Sequence, residues 1–379
     1  MRSISPGYRS EAVLTKRPSP AEQTTFAVVG SGWRASVFLR MAYLMPDRFR
    51  VSGVVARRVE SREVIERTWA VPSYPDLDDL LRVERPDFVI LSVPWPVTPE
   101  LVRRLVDAGV PVLAETPPAP DLEGLHALWD DVGQADLVQV AEQYALMPLH
   151  AARLEIVRSG LIGTPSSVLV SSTHLYHVVS LMRLFLDVDL GATTTVSART
   201  FDSALVDPIT PQGWTHDRTE KTATTVLAAL DFGDGRMGRY DFTDNQWWNP
   251  LRPDHLLVRG SAGEIADDVV VRMVDEVTPV TSRIERATTG LGMNYEGSDL
   301  THLTLDGQVV FRNAFEGARL SDDDISVAVL LDQMGAWVRG QGPGPYPLRQ
   351  ASQDHAVGLA IEQAAASGET VVVGPQPWA

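Results

Sequence analysis

The sequence predicts an α/β protein with a parallel sheet in its N-terminal half. A sheet-rich C-terminal half follows, whose consecutive strands imply an antiparallel or mixed sheet. Three observations carry this reading. Short apolar runs alternate with helical segments from Phe26 to Glu142, and that alternation implies a parallel sheet with right-handed crossovers. A glycine-rich turn joins the first run to the first helix. Beyond Pro165 most apolar runs are separated by turn residues, not helices.

Taken in order, Phe26–Val29 is the first strand and Ala35–Leu44 the first helix. Arg50–Ala56 is a strand and Ser61–Trp69 a helix. Asp87–Val93 is apolar almost throughout, as a strand buried on both faces must be. Pro99–Ala108 is a helix closed by Gly109. Pro111–Glu115 and Leu137–Glu142 are strands on either side of a helix over Leu122–Asp131. In the second half, Met147–Ser159 is helical and ends at Gly160, Pro165–Ser172 is a strand, and His174–Leu186 is an amphipathic helix. Strands are expected near Thr193–Arg199, Ala223–Phe232, Arg236–Phe242, Asp254–Arg259, Val269–Val274, Leu300–Leu305 and Val309–Phe311. Phe232–Gly235 and Leu305–Gly307 read as hairpin turns. Helices over Asp323–Arg339 and Ser352–Ser367 close the chain, and Gly340–Pro345 between them leads back toward the first domain.

A length of 379 residues favours two domains. The expected division is a flexible leader at residues 1–23, a nucleotide-binding domain at 24–145 and a substrate-binding, oligomer-forming domain at 146–379. The leader carries no apolar core of the kind a secretory signal needs. With 33 Lys and Arg against 49 Asp and Glu, the net charge of −16 argues against a nucleic-acid partner. The absence of cysteine removes disulfides, thiolate nucleophiles and iron–sulfur clusters, and fits a cytoplasmic location. No apolar run reaches the length of a membrane span, so no membrane partner is expected.

The turn Gly30-Ser31-Gly32-Trp33-Arg34-Ala35 has the pattern GxGxxA after a strand and before a helix. Gly30 permits the tight turn, Gly32 lets a pyrophosphate approach the backbone, and Ala35 lets the helix pack on the sheet. A Rossmann dinucleotide site is therefore expected, lined by Gly30, Ser31, Gly32, Trp33 and Arg34. The second strand ends in Arg57 and Arg58, with no carboxylate before Glu60. A guanidinium can pair with a ribose 2′-phosphate that a carboxylate would repel, so NADP(H) is favoured over NAD(H). Ser92, Pro94 and Trp95 follow a strand at the carboxyl edge, where cofactors lie in such sheets.

These residues resemble the Gfo/Idh/MocA family of sugar and cyclitol oxidoreductases. The resemblance covers residues 24 to 373. It rests on GSGWRA at 30–35, AETPPAP at 114–120, RSGLIGTPSSV at 158–168, HVVSLMRLFL at 177–186, LVRGSAGEI at 257–265 and the closing ASGETVVV. It implies a Rossmann domain followed by a domain with a large open, mostly antiparallel sheet. The free face of that sheet would build a homodimer or homotetramer. Where the family reads Glu-Lys-Pro, this chain reads Glu115-Thr116-Pro117, so the lysine that meets the substrate oxygen is missing. Where the family has an Asp four residues before its histidine, this chain has Thr173. The histidine itself matches at His177, the expected acid/base.

By the same resemblance Glu115 and Pro117 shape the nicotinamide-ribose pocket, and Gln143 and Tyr144 face the substrate. Tyr144 and Thr116 would position the reacting oxygen. His174 is a candidate substrate contact, as is Trp247. Trp214, His216 and Trp248 are further candidates to line a sugar site. A metal is not expected, since no carboxylates cluster near the two histidines. Ser321 and the Asp322–Asp324 run read as a helix cap. The expected activity is NADP(H)-dependent hydride transfer to or from a carbinol or carbonyl carbon of a sugar, sugar derivative or cyclitol. The missing lysine keeps three alternatives open: reduction of an imine or keto intermediate, a redox-neutral reaction with a recycled cofactor, and a non-catalytic nucleotide sensor.

Overall fold

The computed structural model describes residues 23–210, 212–289 and 299–379. The leader expected at residues 1–23 lies outside them apart from Gln23. The first sheet is built from β1 (Thr24–Val29), α1 (Trp33–Leu44), β2 (Phe49–Val55), α2 (Val59–Trp69), β3 (Ser73–Tyr74), α3 (Leu77–Val83), β4 (Phe88–Leu91), α4 (Thr98–Asp107), β5 (Val112–Ala114), α5 (Leu122–Val132) and β6 (Val138–Val140). Its six strands are parallel, in the order β3-β2-β1-β4-β5-β6. Chain direction across the sheet reverses between β1 and β4, which opens a crevice at their carboxyl ends. β4 is fully buried because helices cover both faces, hence its unbroken apolar run. The sequence signal missed β3 and α3, because a two-residue strand has no period to read.

The chain continues through α6 (Pro148–Arg158), β7 (Pro165–Ser171), α7 (Leu175–Leu186), β8 (Thr194–Val206), β9 (Ile209–Thr210), β10 (Gly213–Trp214), β11 (Glu220–Asp231), β12 (Met237–Thr243), β13 (His255–Gly260), β14 (Gly263–Ala266), β15 (Val269–Met273), β16 (Pro279–Thr289), β17 (Asp299–Leu305), β18 (Gln308–Arg312), α8 (Asp322–Val338), α9 (Leu348–Ser367) and β19 (Val371–Val373). Eleven strands form one mixed sheet, β18-β17-β16-β15-β14-β13-β7-β12-β11-β8-β19. Its pairs are antiparallel except β7–β12 among the described residues. One face packs on α7 and α9 through Val196, Leu230, Tyr240 and Val258. The other leaves Phe201, Leu227 and Met237 exposed. Strands β14, β16 and β19 were not anticipated from sequence. β16 has mostly exposed side chains and lacks a clean apolar alternation.

The C-terminal helices tie the two sheets together. α8 crosses onto the parallel sheet against α1 and β1, where a Cβ on Gly335 would fall 2.1 Å from Thr24 Oγ1. Residues after α8 run along β6: Tyr346 N donates to Gln139 Oε1 (3.0 Å) and Val140 N to Tyr346 O (2.8 Å). α9 then packs on α7, held by the buried pair Arg183–Asp354 at 2.6 Å. None of the described helices is long and apolar enough to cross a membrane.

Candidate active site

The crevice between the two sheets is a cleft of about 1080 Å³. One end is the glycine turn. Gly30 has φ +131°, and a Cβ there would lie 2.0 Å from Ser92 O, so only glycine lets β1 turn so close to β4. Gly32 is the N-cap of α1 in extended backbone, and a Cβ there would meet nothing within 4 Å. No side chain caps α1, and its first turn carries no acidic residue among the described residues. Its first N–H groups are therefore unpaired and face the crevice, the arrangement that receives a phosphate. These observations fit a dinucleotide.

Ser31, Trp33, Arg57, Arg58, Ser92, Pro94 and Trp95 all line this cleft. Arg57 and Arg58 are exposed, and neither side chain has a partner among the described residues. Asp76 also lines this end, but its carboxylate is engaged by Asp79 N at 2.8 Å as the cap of α3.

The other end is assembled from distant segments. The chain leaving β6 carries Glu142, Gln143 and Tyr144, and the first turn of α7 carries His177. His177 Nδ1 lies 2.5 Å from Glu142 Oε2, with side-chain exposures of 10% and 3%. Glu142 Oε1 accepts from Tyr144 N at 3.1 Å, which fixes the carboxylate. The Tyr144 ring sits 4.5 Å from that of His177. Burial pushes the Tyr144 hydroxyl up to about 12, so it stays a proton-bearing donor. His174 packs edge-on against His177 (5.2 Å) and Trp247 (4.9 Å). Burial, with His177 beside it, pushes His174 down to about 3, so it is neutral, and its buried Nδ1 has no partner among the described residues.

Arg34 spans the two ends. Its Nε donates to Glu115 Oε1 at 2.7 Å and its Nη2 to Gln143 Oε1 at 2.8 Å. Gln143 Nε2 donates in turn to Asp323 Oδ1 at 3.3 Å, from the first turn of α8. Burial opposes the charge on Arg34, but Glu115, Asp323 and Tyr144 together outweigh it and hold the guanidinium above its ordinary value.

Thr116 lines the cleft with Tyr176 beside it. Two expectations are corrected. Pro117 is buried and does not line the cleft. Trp214 and His216 lie away from it, Trp214 on the small β9–β10 hairpin, whereas Trp247 and Trp248 do line it. The capping box of Ser321 and Asp324 forms, but its neighbour Asp323 reaches the cleft.

Sequence reasoning missed Glu142 and Asp323. A carboxylate closing the apolar run Val138–Ala141 is a usable signal for Glu142. Nothing local distinguishes Asp323 from its acidic neighbours. Among the described residues, no three His, Asp or Glu side chains converge as a metal site.

A glycine turn at the switch point of such a sheet is the architecture of dinucleotide-binding domains, and the buried Glu142–His177 pair lies at the far end of the same crevice. Residues 24–142 match the family GFO_IDH_MocA, the oxidoreductase family with an NAD-binding Rossmann fold. Comparison with curated proteins gives no match. Among solved structures, levoglucosan dehydrogenase in complex with NADH and levoglucosan aligns with a TM-score of 0.67 at 16% identity, covering 94% of this chain and 100% of that one. A myo-inositol dehydrogenase from Corynebacterium glutamicum aligns at 0.63 and 16%, covering 93% and 100%. The WlbA dehydrogenase from Chromobacterium violaceum, in complex with NADH and UDP-GlcNAcA, aligns at 0.62 and 16%, covering 94% and 97%. At these identities the likeness is one of fold.

Proposed function

We propose that this protein is an NADP(H)-dependent oxidoreductase that exchanges hydride with a carbinol or carbonyl carbon of a sugar, sugar derivative or cyclitol. The observation that carries the reading is the buried Glu142–His177 pair at the end of the dinucleotide cleft. The neighbours that act on levoglucosan and myo-inositol, or hold a nucleotide sugar, support the substrate class. Arg57 and Arg58, free at the end of β2, support the 2′-phosphate.

When bound, the nicotinamide supplies the hydride acceptor or donor. The α1 N-terminus and Gly32 hold the phosphates. In the oxidising direction His177 takes the hydroxyl proton as the C–H bond breaks, and in the reducing direction it returns that proton to the alkoxide. Glu142 fixes the imidazole through Nδ1, leaves Nε2 for the substrate and stabilises the imidazolium. Tyr144 and Thr116 donate hydrogen bonds to the reacting oxygen. Neither carries charge, so no cation at position 116 supports an alkoxide and His177 bears that task.

The test is calorimetric titration with NADPH and with NADH, followed by a screen of polyols and keto sugars. Micromolar NADPH binding with weaker NADH binding is expected, and His177→Ala should lower turnover at least ~100-fold with cofactor affinity nearly intact. Binding of neither dinucleotide, or full turnover by His177→Ala, sinks the reading.

A further inference from the structure

We propose that the substrate end of the cleft selects polyhydroxylated rings without negative charge and turns away carboxylated or phosphorylated ones, and that Asp323 is the residue that sets this selectivity. The proposal rests on the dehydrogenase reading above and adds a substrate class to it.

Charge is distributed unevenly along the cleft. Three of the arginines that line it, Arg57, Arg58 and Arg104, sit with the nucleotide-binding turns and α4. At the His177 end the one cation lining the cleft among the described residues is Arg34, and it is already committed to Glu115 and Gln143. Facing it are two carboxylates, Glu115 and Asp323, with Glu142 directly behind His177. An anionic substituent placed here would meet like charge and find no free guanidinium or ammonium to pair with, and in a partly buried cleft that repulsion is weakly screened.

The same groups suit hydroxyls. Asp323 is half-buried, and Oδ1 accepts one long hydrogen bond from Gln143, which leaves acceptor capacity for substrate O–H donors. Trp247 and Trp248, which also line the cleft and are partly exposed, offer aromatic surface for the apolar C–H face of a ring. Asp323 comes from α8 and, among the described residues, its carboxylate hydrogen-bonds to Gln143 and to neither His177 nor Glu142, so it can set affinity without taking part in proton transfer.

The experiment reads binding. Full-length protein saturated with NADP+ is titrated with matched pairs, following quenching of tryptophan fluorescence: glucose against glucuronate, galactose against galacturonate, glucose against glucose 6-phosphate. The tighter-binding neutral sugar is expected to exceed its acidic partner by at least about tenfold, the scale of one uncompensated like-charge contact near a protein surface. Asp323→Asn, which keeps the shape, should narrow that gap to about threefold, chiefly by improving the acid. An acid that binds as tightly as its neutral partner, a gap unchanged in Asp323→Asn, or binding of no sugar in any pair overturns the proposal. Discrimination without any NADP+ reduction leaves it standing and overturns the dehydrogenase reading. Reduction of NADP+ with an acidic preference does the reverse.

Discussion

Replacing Glu142 by Gln removes one charge from the centre of the site and little else. The carboxylate Oε2 lies 2.5 Å from His177 Nδ1, with side-chain exposures of 3% and 10%, so water screens the pair poorly. With charge centres about 4 Å apart and an effective dielectric constant of about 20, the carboxylate stabilises an imidazolium by about 4 kcal/mol. Part of that is recovered by relaxation and by the amide dipole of Gln. A loss of about 3–4 kcal/mol in the step where His177 carries the proton corresponds to a kcat lowered by about 10²- to 10³-fold. Glu142 does not line the cleft, so the dissociation constant for NADPH should stay within about threefold of wild type. The assay is steady-state and single-turnover kinetics with the sugar or polyol that the wild-type protein turns over fastest, alongside NADPH titration and thermal unfolding. A folded Glu142→Gln protein with kcat within about threefold of wild type would refute the reasoning, because the pair would then be a structural contact. A loss seen only as raised KM would also refute it, since that signature belongs to ground-state binding.

Three further outcomes are expected. Arg57→Ala combined with Arg58→Ala should weaken NADPH binding by at least about tenfold, the scale of one or two charge-assisted hydrogen bonds, while NADH binding changes by less than about threefold; equal losses for both would count against a 2′-phosphate contact. His150 is fully buried beside Arg153, and burial, then that charge, push it down to about 3. A histidine held neutral in the fold contributes stability that is complete above the unfolded value of about 6.5 and is lost as pH falls from there toward 3, about 2 kcal/mol by pH 5. Urea midpoints from pH 7 to 5 should therefore fall less steeply for His150→Gln than for wild type, and identical slopes would show that His150 protonates freely. Phe201 and Leu227, diagonal neighbours on β8 and β11, and Met237 further along β12 are exposed on the outer face of the eleven-stranded sheet. Light scattering should find a dimer or tetramer, and Leu227→Glu should shift it toward monomer; a monomeric wild type removes that interface.

Where structure follows from neighbours in the chain, the sequence was enough. The Gly30-Ser31-Gly32 turn declares itself because only glycine tolerates φ +131° against Ser92 O. The turns at Gly233–Gly235 and Asp306–Gly307 declare themselves through the positive φ they require. Ser321 with Asp324 spells a four-residue capping box. β4 reads as a central strand from its four consecutive buried side chains. Arg57, Arg58, Ser92, Pro94 and Trp95 were legible for a similar reason, since they follow strands that can be read from periodicity, whereas Glu115, Thr116, Gln143, Tyr144 and His177 were singled out by the family resemblance.

What only the tertiary structure decided is which distant segments meet. Glu142 and His177 are separated by 35 residues, and neither spacing nor composition marks them as partners. Asp323 belongs to a helix-capping run by every local criterion, yet α8 crosses onto the parallel sheet and carries it to Gln143, 180 residues earlier in the chain. That crossing depends on the close approach of Gly335 to Thr24 and on chain packing along β6, contacts that no local pattern encodes. Periodicity reports which face of an element seeks burial; it carries no information about which other element will cover that face, and the charge pattern of this cleft is set by that choice.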